Sequence, residues 1–205
     1  MKISFNPVKT ISLASLMLAS SVVYSGVSHA QSSTQDTLTC SIPPEGTRNK
    51  AILESAPSPD INIAGKIKTA SIVVDLSKNV LYKYDKLGKP EAAYLVASGK
   101  RSTPTHTGVR VVSHIEKYPY KTAYGTKRKR DPNSYGPYIL ILDKVNPQTG
   151  ETCMYGEFIH GHDSIKSPDC LGKYVSHGCV RMDNNIITQL ATQEIKSGDI
   201  VIIKR

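Results

Sequence analysis

A change of period is the feature that most narrows the fold. From Ser71 onward the chain runs in short stretches of strand length, and only once, near the C-terminus, does its apolar spacing become helical. Ser71-Ile72-Val73-Val74-Asp75-Leu76 leads through a Ser-Lys-Asn turn into Val80-Leu81-Tyr82-Lys83-Tyr84. The alternation in the second stretch predicts the return arm of a hairpin. Glu91 to Ala97, Gly108 to Ile115 and Tyr138 to Asp143 are further candidate strands, and Phe158-Ile159 ends a sixth. Ile186, Ile187, Leu190, Ala191 and Ile195 then fall on one helical face, with Asp183 as candidate N-cap. Gly198-Asp199 stops that helix, and Ile200 to Ile203 reads as a last strand. Many strands with one late helix predict a mainly β, α+β domain, built as a sandwich or a barrel-like sheet. A chain of 205 residues holds one such domain with an appendage.

The appendage is N-terminal. Lys2 and Lys9 precede an apolar stretch from Ile11 to Val23, and Ser28-His29-Ala30 follows. That order of basic start, apolar run and small-x-small site predicts a secretory leader, residues 1–30, cleaved after Ala30. The run is too short to span a bilayer, which takes about 20 residues. No small-residue lipid-attachment box precedes Cys40. Residues 31–65 are polar and punctuated by Pro43-Pro44 and Ala56-Pro57-Ser58-Pro59. They read as a linker or N-terminal arm with one short helix between Arg48 and Ala56. The folded domain is expected over 66–205.

The net charge of +9 raises the question of a polyanionic partner. Its location answers in part. Two of the charges lie in the leader, and Lys117 to Pro137 holds six basic residues against Asp131 alone. This loop is a candidate lid for an acidic substrate, with a solvated charged loop as the plain alternative. The run Lys127 to Arg130 lacks the stacking-aromatic pattern of RNA-binding sheets, so no nucleic-acid partner is expected.

Chemistry concentrates in two segments, Phe158-Ile159-His160-Gly161-His162 and Ser176-His177-Gly178-Cys179-Val180-Arg181-Met182. A cysteine nucleophile needs a base, backbone freedom to present the sulfur, and donors facing the developing oxyanion. Gly178 gives Cys179 the freedom. His160, at the end of an apolar strand, is the candidate base, since such partners meet in space rather than in sequence.

His160 followed by Ser176-His177-Gly178-Cys179-Val180-Arg181 resembles the signature of the L,D-transpeptidase catalytic domain. The resemblance runs from about Ser71 to the C-terminus and takes in the Ser98-Gly99-Lys100 turn and Thr103-Pro104. It implies a barrel-like fold and peptidoglycan chemistry in the periplasm or cell wall, with tetrapeptide stems as donor and acceptor. Cys179 would be the nucleophile and His160 the base. Gly178 and Cys179 N–H groups would be oxyanion donors, Ser176 and His177 braces of the Cys loop, and Arg181 a carboxylate or loop anchor. Gly161 would support His160, whose tautomer some nearby acceptor should fix. No cofactor is implied. Two departures stand out. His106 and Thr107 lengthen the turn between Thr103-Pro104 and Gly108, and His162 replaces a small hydroxyl residue. The acceptor stays open between a second stem, a lipoprotein lysine, a D-amino acid and water.

Other readings of the same residues are weaker. His160, His162, Cys170, His177 and Cys179 offer zinc ligands, but their spacing fits no common zinc pattern. A non-catalytic wall-binding module has no need of a thiolate. In an oxidising compartment Cys153 and Cys170 are candidates for a disulfide beside the site, with pairing to Cys40 or free thiols as alternatives.

Overall fold

Residues 50–119, 132–162 and 171–205 are described by a computed structural model, within a unit spanning Leu38–Arg205. The expected leader, Cys40, Cys170 and most of the basic loop lie outside the described residues. In chain order the elements are α1 (Lys50–Glu54), β1 (Asp60–Ile63), β2 (Lys66–Thr69), β3 (Ile72–Asp75), β4 (Val80–Tyr84), β5 (Pro90–Leu95) and β6 (Ser98–Gly99). There follow β7 (Gly108–Lys117), α2 (Pro132–Tyr135), β8 (Tyr138–Val145), β9 (Thr152–His160), β10 (Tyr174–Ser176), β11 (Val180–Arg181), α3 (Asn184–Gln189) and β12 (Ile200–Lys204).

Eight strands form one mixed sheet in the order β11-β9-β8-β7-β12-β3-β4-β5. The predicted hairpin is its β3–β4 pair, with Asp75 opposite Val80. Asp75 Oδ1 shapes the turn by accepting from the N–H and hydroxyl of Ser77. The last strand, β12, sits in the middle, parallel to β3 and antiparallel to β7. The edges do not stay apart. Ala97, just after β5, bridges Arg181 on β11 through two backbone bonds of 2.8 Å. The sheet therefore curls into a barrel-like wall whose two edges meet at this bridge. A parallel β6–β10 pair lies beside this closure.

The concave face holds the core. Ile72, Val74, Leu81, Val112, Leu140, Leu142, Ile159, Val201 and Ile203 from the strands pack with Ile187 and Leu190 from the helical segment. Each such side chain, fully buried, contributes about 1.5–3 kcal/mol of transfer free energy. Asp183 is the N-cap: its Oδ1 accepts from the N–H groups of Asn185 (2.7 Å) and Ile186 (3.2 Å). Beyond Gln189 the helix widens into a π-helical turn, Leu190–Glu194, and Ile195 is already extended. The helix thus ends ahead of Gly198-Asp199, although Ile195 still reaches the core.

The Pro-rich stretch expected to be an arm carries more structure than its composition suggests. Residues of α1 and its flank, Ile52 and Ala56, pack on the outer face of β3–β4 against Tyr82 and Tyr84. Ile61 and Ile63 of the β1–β2 hairpin pack on Val109 and Val145. The prolines act between elements: the Pro57 carbonyl accepts from Tyr84 Oη at 2.5 Å. Among the described residues no helix is long and apolar enough to cross a membrane.

Candidate active site

β9 delivers His160 to the site. Alternation puts Ile159 into the core, fully buried, and turns His160 to the opposite face. His160 is nonetheless buried, because Tyr135 of α2 covers it, ring centroids 4.8 Å apart. Its Nδ1 lies 2.5 Å from the carbonyl oxygen of Gly161. A carbonyl only accepts, so Nδ1 carries the proton and Nε2 is left with a lone pair. This is the tautomer-fixing acceptor that spacing alone cannot name. Burial is the main cause that pushes the His160 pKa down to about 3, and the Arg181 guanidinium adds to it. The carbonyls of Gly161 and Tyr135 pull the other way, and His162 pushes it down slightly further. The imidazole is therefore neutral at any ordinary pH.

Beside β9 runs β11, parallel, with Val180 opposite Ile159 and Arg181 opposite His160. The His160 carbonyl also accepts from Met182 N–H at 3.0 Å. Cys179 immediately precedes this pair of strands. Continuing the alternation back from Arg181 puts Cys179 on the His160 face. The thiol is reduced and half-buried. Gly178 has φ +117°, a conformation side chains rarely adopt, so the sharp bend before Cys179 requires glycine.

Hydroxyl groups hold the Cys loop. Ser176, fully buried, donates from Oγ to the Cys179 carbonyl at 2.5 Å and accepts from Gly178 N–H at 3.1 Å. Gly178 N–H is thus engaged inside the loop by Ser176. Thr105 Oγ1 accepts from Gly99 N–H and donates to the Gly178 carbonyl, both at 2.8 Å. The Ser176 carbonyl accepts from Lys100 N–H (3.0 Å) and Thr103 Oγ1 (3.3 Å). His177 is exposed, and its Nε2 sits 3.2 Å from Lys100 Nζ.

The lengthened Thr103–Gly108 turn therefore has a use. It brings Thr105 onto the Cys loop, and a buried ion pair anchors it from behind. Arg110, fully buried, donates to Glu157 Oε2 at 2.9 Å and to the His106 carbonyl at 3.1 Å. Glu157 Oε1 accepts from His106 N–H.

Residues 69–203 match the family model described as the L,D-transpeptidase catalytic domain. The chain belongs to that family. YkuD of Bacillus licheniformis, a protein named as an L,D-transpeptidase, is 34% identical over 115 residues, 55% of this chain and 51% of the relative. This chain thus spans about half the length of the curated relative it matches. Among solved structures, Bdellovibrio bacteriovorus Bd1075 is 19% identical with a TM-score of 0.51, over 73% of this chain and 53% of its own. That likeness supports the fold. An Enterococcus faecium L,D-transpeptidase, a cysteine-to-serine mutant, is 22% identical with a TM-score of 0.46, over 67% of this chain and 50% of its own.

In this L,D-transpeptidase domain the expected residues separate by position. His160, Gly161, Ser176, Gly178, Cys179 and Arg181 lie around the β9–β11 pair, and His177 stands on the outer rim beside Lys100. Cys153 is an exposed free thiol on β9. Its expected partner lies outside the described residues. Thr105, Tyr135 and Asn184 belong to the same site and carry no motif. Only the Thr-Pro turn signal before Thr105, and the cap position before Asn184, point toward any of them.

Proposed function

We propose that the chain is an exported L,D-transpeptidase that rebuilds peptidoglycan through a Cys179 thioester, with tetrapeptide stems as donor and acceptor. Its leader would end near Ala30, and the catalytic domain would occupy about 66–205. Cys179 Sγ attacks the carbonyl carbon of an L-configured centre in the donor stem, and the thiol proton passes to His160 Nε2. The new S–C bond forms, the C–N bond to the terminal D-amino acid breaks, and His160 returns the proton to the leaving amine. An amine of the acceptor stem then attacks the thioester. The C–N bond forms, the S–C bond breaks, and the proton passes through His160 back to sulfur. The Cys179 N–H is the remaining loop donor for the oxyanion, since Gly178 N–H is engaged by Ser176. Ser176 braces the loop, and Arg181 holds its place beside His160.

The observation that carries this reading is the neutral His160, its Nδ1–H bonded to the Gly161 carbonyl, on the strand paired to the one that begins just after Cys179. The test is incubation of the mature protein with disaccharide-tetrapeptides, followed by mass analysis. Crosslinked dimers with released D-amino acid are expected. Tripeptide products alone would make the acceptor water and overturn the transferase assignment. Cys179→Ala should give no product and no carbapenem adduct while keeping its melting temperature. Retained turnover would remove Cys179 from the mechanism.

A further inference from the structure

Asn184, the first residue of α3, makes a reciprocal pair of hydrogen bonds with the backbone of His162. Its Oδ1 accepts from His162 N–H at 3.0 Å, and its Nδ2 donates to the His162 carbonyl at 3.1 Å. A side-chain amide that takes both backbone groups of one residue fixes the peptide planes on both sides of it. One of those planes contains the Gly161 carbonyl, the acceptor for His160 Nδ1.

The packing around the same amide is equally tight. A Cβ added at Gly161 would lie 2.2 Å from Asn184 Oδ1, and one at Gly136 would lie 2.4 Å from it. Gly136 follows Tyr135, whose ring covers His160. Asn184 therefore touches both the segment whose carbonyl holds the imidazole and the one whose ring covers it. It is itself held firmly, because α3 is capped by Asp183 and anchored in the core by Ile187.

We propose that Asn184 is the positioning residue of this site. It sets the Gly161 carbonyl so that His160 is protonated on Nδ1 and presents a bare Nε2. It touches no reacting atom and acts through Gly161. The role rests on His160 being the base, as proposed above, but the tautomer can be read without substrate.

The test is ¹⁵N spectroscopy of histidine-labelled protein, alongside acylation kinetics with a carbapenem. The wild-type chain should hold His160 in the Nδ1–H form at neutral pH. Asn184→Ala should give a mixed or Nε2–H signature and an acylation rate lower by about 10- to 100-fold, with half-saturation little changed. An unchanged tautomer with an unchanged rate overturns the proposal. A lowered melting temperature with an unchanged tautomer also overturns it, because the role would then be structural only. Asn184→Asp serves if the alanine variant does not fold. It keeps the acceptor for His162 N–H but loses the donor to the carbonyl, so an intermediate rate is expected and a wild-type rate counts against the role. If the wild-type tautomer is as expected but no acylation occurs in any variant, the enzymatic reading fails and the clamp stands.

Discussion

The Cys179 side of the site is held by side-chain hydroxyls, and the His160 side by glycines packed around one amide. Ser176 and Thr105 bond the backbone of the Cys loop from within it and from the neighbouring turn. Those bonds leave Gly178 room: a Cβ there would meet nothing nearer than 3.8 Å, so only its φ is restrictive. Around His160 space is the constraint. Gly161 and Gly136 are closed in by Asn184, and Tyr135 covers the ring. Cys179 thus sits on a loop tuned by polar bonds, whereas His160 sits in a buried, closely packed socket. The difference matches their tasks. The sulfur must meet substrate, while the imidazole must keep one tautomer and one orientation.

Replacing His160 should have the largest effect on this contrast. His160→Gln keeps a side chain of similar size and removes the proton acceptor, so thioester formation should slow by about 10²–10⁴-fold. Stopped-flow acylation by a carbapenem measures it, and a loss below tenfold would mean that Cys179 needs no partner on β9. A smaller effect is expected on the other side. Ser176→Ala leaves Gly178 N–H and the Cys179 carbonyl without their bridge, which should cost about 1–3 kcal/mol of stability. Acylation should also slow, while the His160 tautomer signal stays the same. A tautomer change in Ser176→Ala would show that the two sides are one coupled unit.

How much of this was legible in the sequence follows the same division. The strands carrying the core could be read because Ile72-Val73-Val74 and Val80-Leu81-Tyr82 are long enough to show their pattern. β6, β10 and β11 could not, since two or three residues carry no period, and they are strands only because β6 meets β10 and β11 meets β9 across the fold. The β1–β2 hairpin hid among prolines that punctuate it rather than exclude it. Within the site, the Ser-His-Gly-Cys run and His160 stand out because their residue types are chemically unusual together. Thr105 and Asn184 are ordinary polar residues whose roles depend on what lies across from them, at separations of 73 and 22 residues. The engagement of Gly178 N–H by the Ser176 hydroxyl is likewise invisible in the sequence, because it depends on how the loop bends.

The buried socket also has a thermodynamic signature. An unfolded chain exposes His160 with an ordinary pKa of 6.5, whereas the folded pKa is about 3. Between these values the unfolded state binds a proton that the folded state does not, so stability rises with pH across that window. The contribution is fully present above pH 6.5 and is lost as pH falls toward 3, with a slope from this one group of at most about 1.4 kcal/mol per pH unit. Urea denaturation of the wild type and of His160→Gln at pH 7, 5.5 and 4.5 isolates it, because carboxylates titrate in both proteins and cancel in the difference. The stability of the wild type should fall more steeply than that of the variant as pH drops. Parallel curves would mean that water reaches His160 in the folded state, and the contrast between a half-buried thiol and a sealed imidazole would then be lost.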